Sequence, residues 1–225
     1  MPANWPLGND IVDLRLAENE KSAANPKFVE RVLAPRERRA YSQSGSYDRV
    51  LWAFWAAKEA AYKALRKIDP DLVFAHRRFV VHPKNTTALH GTRGRAHGTV
   101  MHGARRVPVI WVWNDDWLHC LTKDGLSEPD YRVCSLSQYR PGKSFVVTRQ
   151  ANSLSDASAA VRQLAMELLH ELGVPGAQIV RPPASRRRGP PQILQHGVPR
   201  TDIDISLSHD GRYAAAAIRT MGHAR

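Results

Sequence analysis

Residues 51–65 constrain the fold of this chain more than any other part of the sequence. Apolar side chains recur here at helical spacing, and Pro70 lies beyond the point where the pattern stops. Asp48 precedes the pattern and is a good N-cap, so we predict a helix over residues 48–65. Its apolar face consists of four residues: Leu51, Trp55, Tyr62 and Leu65. Such a face needs a partner surface to bury it.

Three charged residues accompany this apolar face. At about 100° per residue, Glu59 and Lys63 lie one turn apart along its edge, where they can form an ordinary ion pair or reach a cleft beside the packed surface. Lys58 falls within the face itself. We expect Lys58 either to extend its ammonium group to solvent or to support the wall of that cleft.

The rest of the pattern predicts further strands and helices. Strands are expected in eight segments: 7–14, 79–81, 98–100, 107–113, 144–148, 179–180, 203–207 and 213–218. Helical signals run over 26–42. Residues 155–172 carry apolar side chains at helical spacing until Gly173 and Pro175, and they predict a second long helix.

Each half of the chain thus contains a strand, a helix and several further strands, with a break rich in Gly, Ser and Pro at 125–143. We predict an α+β fold made of two similar halves, 1–135 and 136–225. The similarity rests on the order of elements, because no residue-level repeat connects the halves. The apolar face of the first long helix is expected to pack against the other half.

Composition limits the classes of protein to which the chain can belong. Lys and Arg number 33 against 21 Asp and Glu, and the resulting charge of +12 predicts attraction to an anionic partner. The longest apolar run, 107–113, is too short to span a bilayer, and residues 1–20 carry acids where a signal peptide is apolar. With Cys120 and Cys134 as the two cysteines, a disulfide framework is excluded, so we expect a reduced, cytoplasmic protein.

The same charge also suits a nucleic-acid-binding protein, which is the alternative from another class. Arg186, Arg187 and Arg188 form a basic run, and six tryptophans are available for stacking on bases. Most of the aromatic residues, however, fall on predicted apolar strands and on the first long helix. Packing explains them there, which favours a protein that does not bind nucleic acid.

Two short polar clusters stand at the ends of predicted strands. Asp10 follows Gly8 and Asn9, where it fits either a turn or a ligand for a hard cation such as Mg²⁺, which takes one or two protein carboxylates. Near the other end of the chain, Ser208 and His209 precede an Asp-Gly pair that predicts a hairpin turn. His209 is either solvated or a donor to a phosphate group.

Three motifs together resemble the signature of the 4′-phosphopantetheinyl transferase superfamily. They are Gly-Asn-Asp-Ile-Val-Asp-Leu at 8–14, Trp-Ala-Ala-Lys-Glu-Ala-Ala-Tyr-Lys at 55–63 and Ser-Leu-Ser-His-Asp at 206–210. Their order resembles that of the short holo-acyl-carrier-protein synthases, whereas the length is similar to that of the longer, Sfp-like class. The resemblance implies a pseudo-dimer of two α+β halves with one cleft between them.

The resemblance also implies an activity. Such an enzyme moves 4′-phosphopantetheine from coenzyme A to a serine of an apo acyl or peptidyl carrier protein and releases adenosine 3′,5′-bisphosphate. By this resemblance Asp10 and Glu59 hold Mg²⁺, and Lys63 neutralises phosphate charge or assists a proton relay. The serine proton passes to Glu59 or to a metal-bound water.

The second half is expected to hold the coenzyme. Ser208 and His209 correspond to the family residues that contact the 3′-phosphate of coenzyme A. Pro190 stands at the basic position of the family's Gly-basic-Pro stretch, so Arg186 or Arg188 is expected to bind the phosphates instead. Val12 replaces a second acid that is usual in the longer class, which implies fewer protein ligands and more water on the metal.

The expected partners follow from that activity. The carrier protein can belong to fatty-acid, polyketide, polyunsaturated-lipid or peptide synthesis, and the basic charge suits an acidic carrier helix. Because two fused halves supply one site, we expect a monomer that binds neither nucleic acid nor membrane. A relative that only binds carriers without activity is a third possibility, against which the intact residues Asp10, Glu59 and Lys63 argue.

Overall fold

Two groups of strands, each packed on one long helix, form the described part of the chain. This computed structural model describes residues 5–42, 47–83, 89, 91–123, 129–136, 154–183 and 188–221. The fold is mixed α and β with several sheets. Within the described residues no helix is long and apolar enough to cross a membrane.

The first group contains five strands and four α-helices. In chain order these are β1 (Asn9–Asp13), α1 (Ala17–Ala23), α2 (Pro26–Val32), α3 (Pro35–Ser42), α4 (Tyr47–Arg66), β2 (Phe79–Pro83), β3 (Gly94–His102), β4 (Arg105–Trp113) and β5 (Trp117–Thr122). The strands form one antiparallel sheet in the order β1-β5-β4-β3-β2. Alternate residues of β4 bury their side chains against α4, where Trp111 Nε1 donates to Ala53 O at 2.8 Å.

Helix α4 lies directly on β1 because the strand is entered through a glycine. A Cβ atom on Gly8 would lie 1.9 Å from Ala60 O and 2.8 Å from Ala64 N. No other residue fits so close an approach of two backbones. This contact brings Glu59 and Lys63 of α4 beside Asp10.

The second group contains six strands and one helix. In chain order these are β6 (Asp130–Ser135), α5 (Leu154–Glu171), β7 (Ala177–Val180), β8 (Gln192–Gln195), β9 (Val198–Pro199), β10 (Ile203–Asp210) and β11 (Tyr213–Thr220). Two three-stranded sheets have the orders β10-β11-β6 and β7-β8-β9. The apolar residues of α5 form a separate core with β10 and β11, which confirms the second long helix.

The two groups meet where β1 runs beside β10 in the same direction. Alternate N–H groups of β1 face β5, and those between them face β10. Side chains of β10 accept these bonds: Leu7 N donates to Asp204 Oδ2 at 2.6 Å, Asn9 N to Ser206 Oγ at 2.9 Å, and Asp13 N to Asp210 Oδ2 at 2.8 Å. Side-chain oxygens of β10 thus accept N–H groups that backbone carbonyls would accept in a regular sheet.

Two basic residues fasten the rest of this junction. Lys67, directly after α4, pairs with Asp204 and donates to Leu7 O at 2.6 Å and Ile205 O at 2.7 Å. Arg212, in the β10–β11 turn, donates from Nε and Nη2 to the two carboxylate oxygens of Asp13, at 2.9 and 2.8 Å. Burial alone would raise the pKa of Asp13, but the hydrogen bonds and charge of Arg212 lower it.

Several sequence predictions need correction. The helical region at 26–42 is two helices, because Leu33 is extended (φ −90°, ψ 130°) and Pro35 begins a new helix. Asp48 lies in the first turn of α4, which begins at Tyr47. Helix α1 was not predicted, and the predicted strand at 144–148 lies outside the described residues.

The expected packing of α4 against the other half is wrong. Leu51 and Leu65 are fully buried in the core of the first group, and Trp55 and Tyr62 pack against the same core. That core also contains four of the six tryptophans: Trp5, Trp52, Trp111 and Trp113. Buried indoles cannot stack on bases, which weakens the nucleic-acid alternative.

Candidate active site

A cavity of about 430 Å³ opens at the end of the junction, between β1, β10 and the N-terminal part of α4. Three of the predicted site residues line it: Asp10 from β1, Glu59 from α4 and His209 from β10. Phe28, Trp52 and Trp55 form an aromatic wall on another side. Residues far apart in the chain therefore meet in one cavity between the two groups of strands.

Lys63 pairs with Asp10 rather than with Glu59. Its Nζ donates to Asp10 Oδ1 at 2.8 Å and to the backbone carbonyl of Asn9 at 2.9 Å. Of the two predicted alternatives for Glu59, an ion pair on the same helix or a position in a cleft, the structure has the second. Lys63 thereby links α4 to β1 at the edge of the cavity.

The electrostatics of the cavity are dominated by two carboxylates. Burial raises the pKa of Glu59 to about 7, and the charge of Asp10 adds to that effect while Lys63 opposes it. Burial also raises the pKa of Asp10, against the opposing charge of Lys63. Lys63 is thus paired with Asp10, while the charge of Asp10 raises the pKa of Glu59 and the charge of Asp210 raises the pKa of Asp10.

This donor set fits a magnesium ion. Mg²⁺ is usually bound through one or two carboxylates and keeps several waters or phosphate oxygens. A divalent cation between Asp10 and Glu59 would relieve their repulsion. Within the described residues no three His, Cys, Asp or Glu side chains cluster as a complete metal site, so water and substrate would have to supply the other ligands.

Ser208 and His209 lie at the cavity end of β10. His209 is half-buried, and burial together with the charge of Lys63 lowers its pKa. Ser208 is buried and its Oγ has no hydrogen-bond partner within the described residues. Ser208 stands between Ser206 and Asp210, both of which accept an N–H from β1. Its free hydroxyl is therefore an exception in this junction, next to the cavity.

Arg188 does not line this cavity. Arg66 Nη2 donates to the backbone carbonyl of Arg188 at 3.0 Å, about two helical turns beyond Glu59 on α4. Burial lowers the pKa of the neighbouring Arg181, and the charges of Arg162, Arg66 and Arg188 lower it further. Arg188 thus belongs to a separate basic cluster, and Arg186 lies outside the described residues.

Lys58 does not reach solvent. Its side chain is fully buried and its Nζ donates to Glu37 Oε2 at 2.6 Å, Val32 O at 2.8 Å and His76 O at 3.1 Å. Glu37 in turn accepts the N–H groups of Ala34 and Val81, both at 2.6 Å. The prediction that Lys58 reaches solvent is therefore wrong, because its partner Glu37 comes from a helix that the spacing in α4 does not reveal. Its bond to Val32 O, at the end of the helix that carries Phe28, agrees with the prediction that it supports the wall of the cavity.

Asp210 is a site residue that sequence reasoning missed. The predicted Asp-Gly turn is shifted, since Asp210 pairs with Tyr213 across a turn made of Gly211 and Arg212. Asp210 lines the cavity, and its Oδ2 accepts from Asn19 Nδ2 at 2.8 Å as well as from the β1 backbone. Its place in the Ser-His-Asp motif was the available signal, but the turn explained it equally well.

Comparison with known proteins covers mainly the first group of strands. The sequence model of the 4′-phosphopantetheinyl transferase superfamily matches residues 6–108, which include Asp10, Glu59 and Lys63. A holo-[acyl-carrier-protein] synthase from Idiomarina loihiensis is 35% identical over 95 residues, which are 42% of this chain and 75% of that protein. The motifs and these matches define a transferase of the phosphopantetheinyl class.

The chain belongs to the 4′-phosphopantetheinyl transferase superfamily, as the three motifs predicted. The synthase is shorter than this chain, because the same aligned residues are a larger share of it. Ser208 and His209 lie beyond the residues that the family model matches.

Proposed function

We propose that the protein is a magnesium-dependent phosphopantetheinyl transferase of the holo-acyl-carrier-protein synthase type. It moves 4′-phosphopantetheine from coenzyme A to a serine of an apo acyl or peptidyl carrier protein and releases adenosine 3′,5′-bisphosphate. The observation that carries this proposal is the meeting of Asp10 and Glu59 with His209 in one cavity. The membership of the superfamily supports the reaction class.

Asp10 and Glu59 are the proposed metal ligands. A bound Mg²⁺ would supply charge neutralisation at the pyrophosphate of coenzyme A. A cation between these two carboxylates would offset their repulsion and so favour the ionised form of both acids. The position of both acids in one cavity supports this assignment, and burial raises the pKa of each of them.

Lys63 and Glu59 are the proposed catalytic residues. The ammonium of Lys63, held by Asp10 Oδ1 and Asn9 O, can donate to a phosphate oxygen that enters the cavity. The hydroxyl of the carrier serine attacks the phosphorus attached to the pantetheine arm, and the bond to the adenosine bisphosphate breaks. Glu59 is the proposed acceptor of the serine proton, because it lines the same cavity as Asp10 and His209.

The second half is proposed to bind the coenzyme. The free hydroxyl of Ser208 and the imidazole of His209 suit contact with a phosphate. The basic cluster around Arg188 suits a further phosphate or an acidic carrier helix, and Arg186 keeps its proposed role in phosphate binding from the resemblance alone.

The two halves, 1–135 and 136–225, are proposed to form a pseudo-dimer within a monomeric chain. The order β1-β5-β4-β3-β2 in the first group of strands is matched by β6-β11-β10 in the second group, where β8 lies against β10 and β7 pairs with β8. The predicted boundary at residue 135 needs correction, because β6 (Asp130–Ser135) precedes it and yet pairs with β11 of the second group. In each half the long helix follows the first of these strands. This common order supports the proposed duplication.

The test is to incubate the protein with coenzyme A, Mg²⁺ and an apo acyl carrier protein and to weigh the carrier by mass spectrometry. We expect the carrier to gain one phosphopantetheine group, and the gain to disappear with EDTA or with the double variant Asp10→Asn/Glu59→Gln. An unmodified carrier, tested with both acyl and peptidyl carriers, would refute the activity. Fluorescence polarisation with a labelled DNA strand tests the nucleic-acid alternative in parallel.

A further inference from the structure

Asn9 lies at the point where the two groups of strands and α4 meet, although none of the steps proposed above uses its side chain. The residue is fully buried. Its Nδ2 donates to His119 Nε2 on β5 at 3.0 Å and to Ala215 O on β11 at 3.2 Å. Its backbone N–H donates to Ser206 on β10. One residue thus binds three strands from both halves.

The backbone of Asn9 also holds the site lysine. Its carbonyl accepts from Lys63 Nζ at 2.9 Å, while Asp10, the next residue, accepts from the same ammonium at 2.8 Å. Any rotation of β1 about Asn9 would therefore move Lys63 and Asp10 together. Since His209 belongs to the other half, such a rotation would also change the distance between the acids and the coenzyme-binding residues.

Asn9 and His119 form a hydrogen-bonded pair of polar side chains, and both residues are fully buried. An amide nitrogen can only donate, so Nε2 of His119 is the acceptor and the proton of the neutral ring lies on Nδ1. Burial lowers the pKa of His119 to about 3, which keeps the ring neutral. Within the described residues, His119 Nδ1 and Asn9 Oδ1 have no hydrogen-bond partner. Buried polar groups that are left unpaired call for an explanation other than stability.

We propose that Asn9 is a positioning residue for phosphopantetheinyl transfer. Its amide, held between His119 of the first half and Ala215 of the second, sets Lys63 and Asp10 against His209. The proposal rests on the proposed function, because it concerns the rate of that transfer. This role requires that the side chain of residue 9 donate two hydrogen bonds and that residue 119 on β5 offer a neutral acceptor.

The test compares Asn9→Leu with a matched control in the same strand pair. Asn9→Leu keeps the size of the side chain and removes both donors, and we expect kcat for carrier loading to fall about 10- to 100-fold with KM for coenzyme A changed less than about threefold. Thr122→Val is the control, since Thr122 Oγ1 accepts from Gly8 N at 2.7 Å and donates to Pro6 O at 2.9 Å. We expect Thr122→Val to lose thermal stability and to keep its kcat.

A second pair of variants tests the acceptor on β5. His119→Gln retains an oxygen that can accept from Asn9 Nδ2, whereas His119→Leu does not, so we expect kcat near that of the wild type for the first and a loss for the second. These variants decide the question if Asn9→Leu does not fold. Equal kcat in His119→Gln and His119→Leu, or wild-type kcat in folded Asn9→Leu, would overturn the positioning role. An inactive wild-type chain would instead refute the proposed function itself.

Discussion

Lys58 and Glu59 are neighbours on α4, yet their side chains enter surroundings of opposite character. Lys58 is sealed in the core, where a carboxylate and two carbonyls accept all three of its protons. Glu59 lines an open cavity opposite another carboxylate, and its pKa is raised to about 7. One residue has every partner it needs, and the other lacks a counter-charge.

The difference separates a buried ion pair from an acid that faces another carboxylate in a cavity. A buried pair with satisfied hydrogen bonds holds elements together, here α3, α4 and β2 through Glu37 and Lys58. Acids that remain poorly neutralised in a cavity are typical of sites that bind a cation or move a proton. The comparison therefore predicts that mutation of Lys58 lowers stability, whereas mutation of Glu59 lowers the rate of the reaction.

The largest expected effect is on stability. Lys58→Met leaves Glu37 as an unpaired buried charge, and we expect the free energy of unfolding in urea to fall by about 3–5 kcal/mol. The folded fraction should retain the wild-type turnover. In the double variant Lys58→Met/Glu37→Gln the loss should be smaller than the sum of the single losses. A loss below about 1 kcal/mol in Lys58→Met would contradict the role of this pair.

The next effect is on rate. Asp10→Asn and Glu59→Gln keep the shape of the site and remove one charge, and we expect kcat to fall about 10²-fold or more, which corresponds to roughly 3 kcal/mol of transition-state stabilisation. Urea unfolding should show unchanged or higher stability, since the repulsion between the acids is gone. Near-normal turnover of either variant at saturating Mg²⁺ would show that the acids are not metal ligands.

A third prediction concerns pH and the junction. The pKa of Asp13 lies below its ordinary value of 3.8, so its pairing with Arg212 stabilises the fold fully above that pH and is lost as the pH falls through the lower folded-state pKa. Arg212→Gln should cost about 2 kcal/mol at pH 7. Thermal melts should show this difference shrinking below pH 3.8. A difference that grows on acidification would have the wrong sign.

The smallest effect is on coenzyme recognition. His209→Ala should weaken binding of coenzyme A by about tenfold, because a hydrogen bond to a charged phosphate contributes about 1.5 kcal/mol or more. Calorimetry with dephospho-coenzyme A, which lacks the 3′-phosphate, should give a smaller loss. Equal losses for the two ligands would mean that His209 contacts another part of the coenzyme.

Local patterns predicted the elements of this fold better than its long-range contacts. Helix α4 followed from apolar spacing and begins one residue before the predicted start, at Tyr47. Helix α1 (Ala17–Ala23) has no apolar periodicity and escaped prediction, although its Asn19 binds Asp210. The pair of Asp13 with Arg212 joins opposite ends of the chain, and no spacing rule can reveal such a contact.

The site was predictable only to the extent that its residues form motifs. Asp10, Glu59 and His209 were found through three short motifs, and all three line the cavity. The orientation of Lys58 depended on Glu37, a residue outside every motif. The functional side of α4 could be identified from the sequence, whereas the partners of its other residues required the tertiary structure.

The most direct measurement of the central claim is the number of Mn²⁺ ions bound per chain, followed by electron paramagnetic resonance as Mn²⁺ replaces Mg²⁺ in the presence of coenzyme A. If the acids of the cavity form one cation site, the wild type and folded Lys58→Met bind one ion each, and Glu59→Gln binds it much more weakly. Binding that is equal in Glu59→Gln and the wild type would contradict the assignment of Asp10 and Glu59 as the shared cation site.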